Sequence, residues 1–177
     1  EEWYVAIALA RHRHAAPWQD AATLALYEHL VRTGAWWDVV DETAAHLVGG
    51  VLARDRTDVT PLMRLWATSE HLWLRRTAVL CQLNHKSETD TALLRAAIEA
   101  NLEDSSFWLR KAIGWALRQH ARTDPVWVRG EVERWGARLS PLSRKEALKH
   151  LDDRRDEDGL PEHGGSGPPQ REETSSK

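Results

Sequence analysis

Trp73-Leu74-Arg75-Arg76-Thr77-Ala78-Val79 and Trp108-Leu109-Arg110-Lys111-Ala112-Ile113-Gly114 are near-copies of one phrase, set 35 residues apart. An echo at that period, inside helical patterning, is how stacked helical hairpins show themselves, because each hairpin can bury its apolar face only against the next. The phrase repeats a basic residue as well as an apolar row. A repeated core asks only for Leu, Ala and Ile; a repeated Arg or Lys implies a charged surface that meets one elongated partner. The shift extends backwards, from Lys111 to Arg76 and from Arg76 to Asp41. In this register Val39, Leu74 and Leu109 align as one core row, and Thr43, Ala78 and Ile113 as another. Asp41, Arg76 and Lys111 are then expected at one equivalent position of three successive hairpins, side by side along a concave wall. The step from 41 to 76 is the less well matched of the two.

Outward from that phrase, apolar residues recur with helical period to about Leu151, and no strand-like alternation competes. The pattern predicts helices over 3–14, 20–32, 36–49, 60–68, 71–83, 89–102, 106–121, 124–137 and 141–151. Breakers separate them at Pro17, Gly34, 54–60, 84–88 and Asp124-Pro125. Thr60 before Pro61 and Ser140 before Pro141 read as N-caps followed by proline at the first helical position, and Ser105 as a further cap. Short connections make neighbouring helices antiparallel, giving an all-α, HEAT-like helical-repeat solenoid. Residues 152–177 differ in kind: acidic, rich in Gly, Pro and Ser, with almost nothing apolar to bury, and therefore expected to be disordered. The chain divides into a repeat domain, 1–151, and a tail, 152–177.

Composition narrows the class. The 177 residues suit one domain, and 29% charged with 42% apolar residues is a soluble globular profile. No apolar run approaches the roughly 18 residues of a membrane span, and no signal peptide is visible, so no membrane association is expected. The first residue, Glu1, falls inside a periodic apolar pattern (Trp3, Ile7, Leu9), as if the native beginning were missing. A single cysteine, Cys81, excludes a disulfide framework and suits a reducing cytoplasm. Without CxxC pairs, and with nine His lacking zinc spacing, neither metal nor other cofactor is expected. Arg outnumbers Lys 19 to 5, which points to a GC-rich bacterial source.

The net charge of −3 conceals an uneven distribution: −5 over residues 1–104, +6 over 105–151, and −4 from Asp152 onward. A basic end on a folded body is how an anion-binding surface appears in sequence, although solvated helix faces give the same count. Trp supplies ten of the thirteen aromatic residues. Trp37 and Asp41 stand one helical turn apart, and Lys111, Trp115 and Arg118 form a second stripe at i, i+4 and i+7. Each stripe sets an aromatic plate beside charge. Spacing alone leaves two readings open: a ligand-facing stripe, or half-buried packing Trp with charges snorkelling outward.

Four segments carry a resemblance: Ala35-Trp36-Trp37-Asp38-Val39-Val40-Asp41, Trp73–Gln82, Phe107–Arg118 and Leu139–Lys149. In order and spacing they resemble the AlkD-type DNA alkylation repair family, HEAT-like-repeat alkylpurine DNA glycosylases, over residues 1 to about 151. The resemblance implies a C-shaped solenoid whose basic concave face holds duplex DNA containing alkylated purines, working as a monomer in the bacterial cytoplasm at the nucleoid. It implies excision of N3- and N7-alkylated, positively charged purines without flipping the base. By the family's pattern Asp41 is the catalytic carboxylate, Trp37 and Trp115 face the lesion's deoxyribose, and Arg76 and Arg118 hold the backbone. Lys111 suits the same phosphate track, and Arg144 and Lys145 would continue it. Either Arg75 or Arg76 can face the wall, and the repeat register favours Arg76. The family has further N-terminal helices that nothing here matches, so the domain is expected to be truncated relative to it.

The chemistry implied is coherent. A cationic purine leaves readily, and what remains is to stabilise an oxocarbenium-like sugar. Indole faces attract positive charge by about 0.5–2 kcal/mol each. An ionised Asp about 4 Å away adds up to about 4 kcal/mol at an effective dielectric of about 20. The rivals are a non-enzymatic HEAT-like module binding DNA or protein, and a protein scaffold with an apolar groove. A carboxylate at Asp41 discriminates, because in a phosphate-facing wall it would weaken a pure binder.

Overall fold

The structure is a computed structural model describing residues 2–149 and 151. The tail expected to be disordered, 152–177, lies outside the described residues. Among those described, every regular element is helical: α1 (Glu2–Arg11), α2 (Leu24–Gly34), α3 (Trp37–Glu42), α4 (Gly49–Arg54), α5 (Arg56–Ala67), α6 (Leu72–Leu80), α7 (Thr91–Glu99), α8 (Phe107–His120), α9 (Pro125–Trp135) and α10 (Pro141–Leu148). A π-helical stretch, Thr43–Val48, joins α3 to α4, so residues 37–54 form one rod.

The helices stack in two rows, as a helical-repeat solenoid does. The α3 rod packs on α6, α6 on α8, and α8 on α10, forming an inner row; α5 and α7 pack together behind it, with α9 following. The inner register is that of the echo. Val39, Leu74 and Leu109 are all buried, as are Thr43, Ala78 and Ile113. The outer row repeats at nearly the same step: Arg95 donates from Nε and Nη2 to Glu131 at 2.9 and 2.6 Å, and Trp135 Nε1 donates to Glu99 at 3.1 Å.

Local chemistry sets the helix starts. Asp90 accepts from the Ala92 and Leu93 amides, Asp124 from Trp127, and Ser140 from Ser143, satisfying donors that a helix N-terminus leaves bare. Two expected starts are corrected. The fifth helix begins at Arg56, not after Thr60, because Asp55 accepts the Asp58 amide at 3.1 Å; Pro61 lies inside the helix. Ser105 is not a cap: Asp104 takes the Ser106 amide at 2.6 Å.

The inner row is tightest between α8 and α10. A Cβ on Gly114 would stand 2.6 Å from Glu146 Cβ and 3.0 Å from the Ser143 carbonyl oxygen. Only glycine permits that approach. No helix among the described residues is long and apolar enough to cross a membrane.

Candidate active site

Asp41 ends the first turn of α3 beyond Trp37 and turns inward, 8% exposed. Arg76 of α6, one repeat later and 4% exposed, meets it with a parallel fork: Nε and Nη2 each donate to a separate carboxylate oxygen at 2.7 Å. The remaining terminal nitrogen, Nη1, donates to the Trp108 carbonyl of α8, and the guanidinium carbon lies 5.9 Å from the Trp108 ring centroid. Three inner helices thus converge on one ion pair. Burial pushes the Asp41 carboxyl above its ordinary range; the Arg76 hydrogen bonds and charge oppose that, and Asp38 and Glu42 add to it.

Asp41 and Trp115 line one cavity of about 190 Å³, together with Glu42, His46, Asn84 and Gln119. Most of its other polar walls are occupied. Glu42 is paired with Arg11, and Asn84 donates to the Ala45 carbonyl at 3.1 Å. Trp37 is not part of the lining; it stands at the surface one turn away, 42% exposed.

The stripe on α8 is held by a residue that sequence reasoning missed. Glu146 of α10 takes Lys111 Nζ at 3.2 Å on one oxygen and Arg118 Nη1 on the other. Burial alone would raise the Glu146 carboxyl, but the Lys111 hydrogen bond and the Arg118 and Lys149 charges hold it below its usual range. The signal was available, since one more 35-residue step forward from Lys111 lands on Glu146.

Other cations are placed as follows. Arg75 turns away to Asp104 at 3.0 Å, leaving the inner register to Arg76. Arg76, expected on the DNA backbone, is buried and spent on Asp41 and Trp108, because the repeat step brings carboxylate and guanidinium into direct reach. Arg144, also expected on phosphate, donates to the Val132 and Gly136 carbonyls at 3.2 and 2.8 Å, closing the C-terminal end of α9. Lys145 is exposed. A cluster of Trp36, Trp73, Phe107 and Trp108, ring centroids 5.4 to 6.0 Å from Trp108, covers the flank of Arg76. Trp73 and Trp108 open the two copies of the repeated phrase, which was the clue to their shared place. Among the described residues no group of three or more His, Cys, Asp or Glu side chains is arranged to hold a metal ion.

An oriented carboxylate beside an indole, in a cavity that admits a small reactant, can stabilise developing positive charge and hold a water. Comparison with known proteins bears on that chemistry. A solved structure described as a predicted DNA alkylation repair enzyme from Enterococcus faecalis is similar over 84% of this chain, with 34% sequence identity and a TM-score of 0.75, and the match spans 67% of that protein's chain. No curated protein matches. Residues 1–151 match the family described as DNA alkylation repair enzyme. That match runs through every helix from α1 to α10, and the chain belongs to the DNA alkylation repair enzyme family.

Proposed function

We propose that this protein is a DNA glycosylase that releases N3- and N7-alkylated, positively charged purines from duplex DNA, acting as a monomer and without flipping the base. The observation carrying this proposal is the Asp41 carboxylate, held at fixed orientation by Arg76 and sharing a cavity with Trp115. A binding surface for a polyanion gains nothing from such an anion. A site for a sugar that turns cationic does.

In the reaction the C1′–N bond breaks and its electron pair leaves with the purine, which departs neutral because alkylation had already made it a cation. No protonation of the base is required. Asp41 stabilises the positive sugar and orients a water, whose oxygen bonds to C1′ and whose proton passes to the carboxylate or solvent. Trp115, with Trp37 from the surface of the same helix face as Asp41, presents an indole to the cation. Arg76 is a positioning residue: it fixes the Asp41 carboxylate and keeps it ionised. Lys111, Arg118 and Lys145 neutralise phosphates without reading sequence.

The test is release of 7-methylguanine from methylated duplex. Asp41→Asn is expected to reduce it by about 30-fold or more while duplex affinity holds or rises, with circular dichroism confirming the fold. Undiminished release by that variant would remove Asp41 from the mechanism. No release by the wild-type chain, with binding intact, would make the protein a binding module.

A further inference from the structure

A second cavity, of about 250 Å³, adjoins the first, and Leu83 and Gln119 wall both. Its floor is apolar, built from Val79, Leu94 and Ala116. Of its inner polar groups, Gln82 is satisfied by the Asp90 backbone, and the other is His120, at the C-terminal end of α8 and 8% exposed. Neither ring nitrogen of His120 has a hydrogen-bond partner among the described residues. The Trp127 ring stands edge-on to it, centroids 5.2 Å apart at 83°, which fixes the imidazole but satisfies neither nitrogen. A buried polar atom left without a partner destabilises the fold, and here there are two.

The rim has the opposite character. Lys86 and Arg122 line it, both exposed, and neither forms an ion pair among the described residues. Lys86 holds a φ of 52°, a left-handed conformation that non-glycine residues rarely adopt and that clusters at ligand sites.

We propose that this cavity binds one nucleotide unit, a planar ring carrying a phosphate. The ring lies on the apolar floor with its edge toward His120, and the phosphate sits between Lys86 and Arg122. An inorganic anion would leave the floor bare, and an uncharged ring would leave both cations unused. Ligand pockets run from about 300 to 1,000 Å³, so a cavity of 250 Å³ lies below the small end of that range and admits at most one such unit. The neutral imidazole favoured by burial offers one donor and one acceptor to the ring edge, while Asp124 opposes that neutrality. The unit has two sources: a free mononucleotide, or one unpaired nucleotide of a DNA strand. None of the residues proposed to act in base excision is needed for this binding, so the two ideas fail separately.

The test uses protein with labelled imidazole carbons, followed by NMR during titration with adenosine 5′-monophosphate. One imidazole signal, assigned to His120 by its loss in His120→Gln, is expected to move saturably. Lys86→Gln and Arg122→Gln, both on exposed side chains that the fold does not need, are each expected to weaken binding by about tenfold. Adenosine and inorganic phosphate should each bind more weakly than the complete nucleotide. Displacement by a single-stranded oligonucleotide assigns the site to the DNA strand, and retention in its presence assigns it to a free nucleotide; both support the site. No movement of the His120 signal at millimolar nucleotide, or binding unchanged in both cation variants, would overturn it.

Discussion

A carboxylate forked by an arginine is a weaker electrostatic reagent than a bare one, and a better aimed one. At an effective dielectric of about 20, an anion about 4 Å from a cationic sugar contributes about 4 kcal/mol, and a guanidinium about 4 Å further away takes back about 2 kcal/mol. The remainder of about 2 kcal/mol corresponds to about 30-fold in rate, with water orientation additional. Arg76 therefore costs part of the field and fixes the geometry. It also sets a pH dependence. Because burial raises the Asp41 carboxyl, excision is expected to fall on acidification at a pH above the ordinary aspartate value of about 3.9. Arg76→Gln removes the group that opposes this rise, so the acid limb should move toward neutral pH; in Asp41→Asn the limb should vanish. Single-turnover rates against pH measure both. Glu146 is the other decisive acid. It pairs with Lys111 and Arg118, the cations proposed for phosphate, so on that proposal DNA shares or displaces it. Glu146→Gln keeps the stem that packs on Gly114 and removes the competing charge. Duplex affinity, measured by fluorescence anisotropy at fixed salt, should tighten by about tenfold, equivalent to about 1.4 kcal/mol.

At the level of elements, the pairing of α8 with α10 is the least tolerant contact. Gly114→Ala forces a methyl against a Cβ and a backbone carbonyl, neither of which is a flexible end. Overpacking of this kind costs about 1–3 kcal/mol. The melting temperature should fall by about 2–4 °C per kcal/mol, read by thermal denaturation. Helix existence was legible from periodicity, though not the π-helical stretch Thr43–Val48 that carries the third rod on to Arg54, and the core rows 39, 74, 109 and 43, 78, 113 are buried as the register required. The start of α5 was not. Pro61 suggested a first helical position, yet Asp55 supplied the cap earlier. Proline is accommodated there because the carbonyl it leaves unpaired belongs to Thr57, which is exposed to water.

Across the whole molecule, the repeat step turns sequence distance into contact. Positions 41, 76, 111 and 146 carry acid, base, base and acid, and the outer two steps close as ion pairs. One of the four acids already counted in the +6 balance of residues 105–151, Glu146, therefore sits where the inner row is most basic. Duplex binding should still weaken with salt, by a slope of about 0.9 per neutralised phosphate. Arg118→Ala should flatten the plot of log affinity against log salt by about one unit and weaken all sequences alike. A loss confined to particular sequences would contradict phosphate contact.

The repeat length, the all-helical fold and the equivalence of Asp41, Arg76 and Lys111 follow from the sequence, because periodicity and spacing depend only on the order of residues along a helix. Which charges remain available does not. Arg76 and Arg144 read as free cations until helices stacked about 8–10 Å apart brought acceptors within side-chain reach. That distance, fixed by core packing, is a property of the assembled rows, and it decided that these cations are spent inside the fold.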